Sequence, residues 1–215
     1  MKRYTHVIWD FNGTILDDLQ VCVRSANRLL AAHGLPVIDS LDTYRQKFGF
    51  PIIDYYRRLG FDFASTPYAE LAVEWVAYYL EEAPAARLYP DVHDALERVR
   101  RLGISQWILS ATELGMLEGQ VEALGIRSYF ERLLGLGNIH AHSKTELGQL
   151  WRAEHPTASV LLIGDTNHDA AVASAIGADC ILLCRGHQSK ETLASCPALC
   201  VAETLDEIFE KGFFM

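Results

Sequence analysis

The chain has 215 residues, half of them apolar, with 28 acidic against 19 basic side chains and a net charge of −9. Such a chain can bury one sizeable core and carry an insertion, which excludes a disordered protein. The acidic balance argues against nucleic acid or an anionic membrane as partner, but a local site can still meet a small phosphorylated molecule.

Residues 5–10 read as a buried strand, a continuous apolar run closed by Asp10 and an Asn12-Gly13-Thr14 turn. Residues 17–33 read as an amphipathic helix, with Leu19, Cys22, Val23, Ala26, Leu29 and Leu30 at helical spacing and Gly34 as its stop. Residues 40–82 read as helical, broken at Pro51 and Gly60, with the last helix started by Thr66-Pro67 and Pro at its first position. No strand is expected from 17 to 82. The pattern then alternates: helix 90–102, strand 104–109, helix 113–124, strand 132–136, helix 144–155, strand 159–163, helix 170–176, strands 179–183 and 198–201, and a closing helix from Leu205. Alternation of this kind implies right-handed crossovers and a parallel sheet covered on both faces. The expected architecture is α/β, a three-layer Rossmann-like core of residues 1–15 and 83–215, with a small all-helical cap of residues 16–82 over the carboxyl ends of the strands.

The cysteines, Cys22, Cys180, Cys184, Cys196 and Cys200, are odd in number and form no C-x-x-C pair. With no signal peptide and no apolar run of spanning length, a reducing cytoplasm is the expected compartment.

Polar groups cluster at four strand ends: Asp10, Asn12, Gly13 and Thr14; Ser110, Ala111 and Thr112; His140 to Lys144; and Asp165 to Asp169. Open α/β sheets bind ligands just outside the carboxyl ends of their strands, so these four meet in one crevice. A nucleophilic carboxylate, a hydroxyl, a cation and a second acidic cluster are what phosphoryl transfer needs. Asp10 can take the phosphoryl group, and Asp10 with Asp165 offers the oxygen ligands that Mg²⁺ prefers. Lys144 neutralises charge, Ser110 and the N–H groups of Ala111 and Thr112 hold phosphate oxygens, and Gly13 and Thr14 allow close approach and a hydrogen bond.

The ordered set Asp10-Phe11-Asn12-Gly13-Thr14, Ser110, Lys144 and Gly164-Asp165-Thr166-Asn167-His168-Asp169 resembles the haloacid dehalogenase superfamily, in its phosphoglycolate phosphatase-like branch with a helical cap. The resemblance covers nearly the whole chain. It implies a Mg²⁺-dependent phosphatase of small phosphorylated metabolites; the sequence leaves open whether the chain is a monomer or a homodimer. It also implies Asp10 as nucleophile and metal ligand, the backbone carbonyl of Asn12 and Asp165 as further ligands, and Asp169 as a ligand or an acid just behind the ligands. Ser110 and Lys144 would stabilise the phosphoryl group.

Asn12 departs from the pattern. Family phosphatases normally carry a second Asp there, which protonates the leaving oxygen and then deprotonates water; general acid–base assistance is worth about 10²–10⁴-fold. Several accounts follow: another group substitutes (His168, His142 or a cap residue), the leaving group needs no acid, or activity has decayed to metabolite or partner binding. Deamidation of Asn12-Gly13 would restore a carboxylate. A metal-free dehalogenase is a third reading, against which stand Asp165 and Asp169. Thr145 stands where relatives often have proline after the lysine.

Plainer roles compete for single residues. Ser110 alone reads as a helix cap, Lys144 as a solvated lysine, His168 as a loop histidine, and His140-x-His142 as a loop pair rather than half a zinc site. Tyr55, Tyr56, Trp75, Tyr78 and Tyr79 read as packing within the cap or as pocket lining. Arg45, Lys47, Arg57 and Arg58 read as surface charge, or as a clamp for a substrate carboxylate.

Overall fold

The computed structural model describes residues 4–137 and 143–214. In chain order the elements are β1 (His6–Trp9), β2 (Leu16–Asp17), α1 (Leu19–Ala32), α2 (Leu41–Lys47), α3 (Ile52–Leu59), α4 (Tyr68–Glu82), β3 (Arg87–Leu88), α5 (Val92–Arg101), β4 (Ser105–Glu113) and α6 (Leu114–Ala123). They continue with β5 (Arg132–Leu136), α7 (Lys144–Glu154), β6 (Val160–Gly164), α8 (Asn167–Ala175), β7 (Asp179–Leu183), α9 (Lys190–Ala194), β8 (Cys200–Ala202) and α10 (Leu205–Glu210).

Six strands form a parallel sheet in the order β5-β4-β1-β6-β7-β8. The winding reverses between β1 and β6, and such a reversal opens a ligand crevice at the strand tips. Asp10 and Asp165 follow those two strands. Side chains alternate across the sheet: Val7 and Trp9 join the core beneath α5, α6 and α10, while Ile8 joins the one beneath α7, α8 and α9. This is the expected three-layer α/β fold.

The helices α1–α4 lie between β2 and β3, and α1 packs along α4. The expected face of α1 is the buried one. Its chain exit turns at Gly34 with φ 68°, and α3 ends at Gly60 with φ 103°.

Several boundaries differ from the sequence reading. Leu16 and Asp17 pair antiparallel with Leu88 and Arg87, a ribbon at the root of the helical block where no strand was expected. Two residues are too few for a strand periodicity to register. Pro67 caps α4 rather than opening it, and α5 begins at Val92 rather than Pro90. β4 runs past Leu109 to Glu113 through a register irregularity, so Ser110 lies within the strand and Glu113 caps α6, its carboxylate accepting from Gly115 and Met116 N–H groups. α9 was not anticipated. Among the described residues no helix is long and apolar enough to cross a membrane.

Candidate active site

Asp10 leaves β1 at the crevice, anchored by its own N–H donating to the Ile163 carbonyl at 2.8 Å. Lys144 opens α7, just after Ser143, whose hydroxyl caps the helix by accepting from the Glu146 N–H at 3.2 Å. The fully buried Lys144 ammonium bridges two carboxylates. It donates to Asp10 Oδ1 and, at 2.5 Å, to Asp169 Oδ1.

Asp169 is also built into α8. Its Oδ2 accepts from the Thr166 hydroxyl at 2.6 Å, the Thr166 N–H at 3.0 Å and the Asp165 N–H at 3.2 Å, while Thr166 caps in return. Asp165 is held by the Thr14 hydroxyl at 3.3 Å and the His187 N–H at 2.7 Å. Gly13, with φ 76°, passes so close that a β-carbon there would collide with the Asp165 carboxylate. The structure brings Asp10 and Asp165 together: oxygens of Asp10, Asp165 and Asp169 lie within 4.8 Å of one another, all buried.

These acids are unequal. Burial, together with repulsion from Asp169 and Asp165, raises Asp10 well above the usual carboxylate range despite Lys144. Burial also raises Asp165, to about 6. Asp169 is lowered, because Lys144 and Thr166 outweigh its burial. Lys144 is raised, because its two carboxylates outweigh burial.

Asn12 is read as an amide by its surroundings. Its Nδ2 donates to Asp18 Oδ2 at 2.7 Å and to the Tyr79 hydroxyl at 3.1 Å, and its Oδ1 accepts from the Thr112 hydroxyl at 2.7 Å. Ser110 donates to that same Thr112 hydroxyl at 3.1 Å. Asp18 is the centre of a second network: it also accepts from the Gly13 N–H at 3.2 Å, from Tyr79 at 3.1 Å and from Cys22 at 3.4 Å, and faces His187 Nε2 at 3.4 Å. His187 Nδ1 meets the Tyr44 hydroxyl at 2.8 Å. Although burial opposes both charges, the pairing lowers Asp18 and raises His187 to about 9. Sequence reasoning missed Asp18 and His187. The acid just ahead of α1 was the only hint.

A cavity of about 700 Å³ opens over these groups, reaching Asp10, Asn12, Ser110, Ala111, Thr112, Lys144, Asp165 and Asp169 at its base. Its wall includes Tyr55, Tyr56, Trp75 and Tyr79 from the helical block, so four of the five aromatics singled out in the sequence line it. Tyr78 instead donates to Glu74. His168 is lowered by burial and stacks on Phe50 at 4.5 Å. Arg45, Lys47, Arg57 and Arg58 do not line the cavity. Arg45 donates to the Gly186 and Arg185 carbonyls, Lys47 and Arg58 to each other's carbonyls, and Arg57 pairs with Asp54. His140 and His142 lie outside the described residues.

The chain is similar to known proteins in sequence and in fold. A phosphoglycolate phosphatase of Synechococcus elongatus is 28% identical over 195 residues, covering 89% of each chain. One of Rhodobacter capsulatus is 24% identical over 191 residues, covering 85% of each. A haloacid dehalogenase-like hydrolase from Streptococcus pneumoniae superposes with a TM-score of 0.85 at 19% identity, over 98% of this chain and 99% of that one, which establishes the shared fold. The family profile of haloacid dehalogenase-like hydrolases matches residues 7–183, and the chain belongs to that family.

Proposed function

We propose that the chain is a Mg²⁺-dependent phosphatase of small phosphorylated molecules, working through an aspartyl phosphate on Asp10. The observation that carries this reading is the Asp10 carboxylate seated against Lys144 at the base of the cavity, beside Asp165. The donor set fits Mg²⁺: hard carboxylate oxygens, close together and buried, with two of the acids made reluctant to ionise by burial and by repulsion from their neighbours. Asp10, Asp165 and the Asn12 backbone carbonyl would hold the ion. Asp169, whose oxygens serve Lys144 and the α8 cap, orients the lysine. When bound, Mg²⁺ supplies the positive charge that lets a phosphate approach a carboxylate.

With Oδ1 engaged by Lys144, the other Asp10 oxygen attacks phosphorus. Lys144 balances the charge gathered there, and the Ser110–Thr112 segment offers hydroxyl and N–H donors to phosphate oxygens. Residues 16–82 act as the cap over a core of residues 1–15 and 83–215. Phosphate release from a substrate panel with and without Mg²⁺ tests the proposal. Release that needs Mg²⁺ and is lost in Asp10→Asn supports it; wild type and Asp10→Asn alike at background end it.

One observation favours a second reading, a catalytically weak relative that binds a metabolite: the amide at position 12 has no titratable proton to give a leaving group. Tight binding of a phosphorylated ligand without turnover would select it. Halide release without metal would select a dehalogenase.

A further inference from the structure

Resting on that phosphatase reading, we infer that the substrates are phosphate monoesters of phenols, aromatic groups whose oxygen departs as a phenolate. Two independent features converge on this class.

The first is the wall of the cavity. Tyr44, Phe48, Phe50, Tyr55, Trp75 and Tyr79 surround the space beyond the phosphoryl end, and Trp75 lies stacked on Tyr79 at 5.1 Å. Flat apolar faces of this kind recognise rings by offset or edge contacts. Among the described residues the cations lining the cavity are at its base: Lys144, held by Asp10 and Asp169, and His187, held by Asp18. Arg45, Lys47, Arg57 and Arg58 of the helical block are bound elsewhere, as described above, and Arg24 and Arg28 pair with Glu82 and Glu81. A short substrate with a distal carboxylate, such as phosphoglycolate, finds no cation among these aromatics, and the acidic Glu113 also lines the cavity.

The second feature is Asn12. An alkoxide is a poor leaving group without an acid, whereas a phenolate, the conjugate base of a phenol with a pKa of about 10, departs without one. In the first step an Asp10 carboxylate oxygen bonds to phosphorus, the bond from phosphorus to the aryl oxygen breaks, and its electron pair leaves on the phenolate. In the second, water attacks the aspartyl phosphate. Its oxygen and both protons end on dihydrogen phosphate, and the Asp10 carboxylate is regenerated. The first step needs no proton from residue 12, and in the second the phosphoryl oxygens accept the water proton that an Asp at position 12 would otherwise take. The aromatic wall and the missing acid thus describe one substrate from its two ends.

The test is kcat and KM with Mg²⁺ for 1-naphthyl phosphate, benzyl phosphate, phosphoglycolate, phosphocholine and acetyl phosphate. Naphthyl phosphate should exceed phosphoglycolate in kcat/KM by about a hundredfold. Benzyl phosphate, equally aromatic but an alkyl ester, should show a similar KM and a kcat lower by about 10²-fold or more. Val76→Arg, which sets a cation on the cavity wall, should raise KM for naphthyl phosphate about tenfold and lower that for phosphoglycolate. Turnover of acetyl phosphate with naphthyl phosphate no better than phosphoglycolate or phosphocholine overturns the inference and leaves the phosphatase reading standing. No phosphate from any of the five removes both.

Discussion

Two buried charge networks share the loop from Asp10 to Asp18, and they are built to opposite ends. Around Asp10, three carboxylates face one lysine, and burial leaves Asp10 and Asp165 resisting ionisation. Around Asp18, one carboxylate is met by an amide, a backbone N–H, a phenol, a thiol and an imidazolium, and it ionises more readily than usual. The first network is short of positive charge and gains by taking up a cation and a reacting group. The second is complete, and any change in it is a loss. Function and rigidity are therefore separated within nine residues of chain.

The largest effect that would break this comparison lies in the first network. Asp10→Asn should lower phosphate release by roughly a thousandfold or more, while thermal unfolding shows no loss of stability. A stable variant that keeps its rate would remove Asp10 as nucleophile.

The second network should behave in the reverse way. Asn12→Asp places a carboxylate against the Asp18 oxygen that the amide now touches at 2.7 Å, and should cost about 3 kcal/mol in urea unfolding. Adding Asp18→Asn should restore about half of that loss and, with an acid now at position 12, raise turnover of alkyl phosphates. The single variant should raise it little.

The pH dependence sharpens the contrast. The folded pKa of His187 is raised from 6.5 to about 9, so its contribution is complete below pH 6.5 and is lost as pH rises through 9. The stability gap between wild type and His187→Gln should shrink over that window by about 3 kcal/mol. A gap constant from pH 6 to 10 would show that the imidazole is not charged in the fold.

Mg²⁺ should act on the first network alone. At a hundredfold excess over its dissociation constant it should stabilise the protein by about 2–3 kcal/mol, a rise of about 5–10 °C in Tm, and Asp165→Asn should abolish that rise. The smallest expected effect concerns deamidation. The Gly13 N–H is bound to Leu16 O at 2.9 Å and to Asp18, and the Asn12 amide is held at both ends, so the attack of that nitrogen on the amide carbon is blocked. Intact mass after days at 37 °C should still show Asn.

The first network was legible in the sequence because each member stands at the end of an apolar run or the start of a helix, where periodicity fixes its place. Asp10 and Asp165 sit at strand tips, and Lys144 heads a helix behind a serine cap. The second was not, since Asp18 and His187 meet only because a loop beyond β7 folds back over the α1 start, and no spacing encodes that. Ser110 illustrates an intermediate case. Its position at the site was readable, but its hydroxyl bond to Thr112 depends on the β4 irregularity, which has no sequence periodicity. The aromatics of the helical block were legible as a set, but helical spacing alone could not separate those turned to the cavity from Tyr78.

Tyr79 ties these regions together. Its hydroxyl, carried by α4, contacts Asp18, Asn12 and Gln120 at a single oxygen. Lifting α4 away would strip a donor from a buried anion, and neutralising that anion would loosen α4. Opening of the helical block and the charge on Asp18 are therefore reciprocally linked, so a tyrosine distant in sequence from the nucleophile reports on both at once.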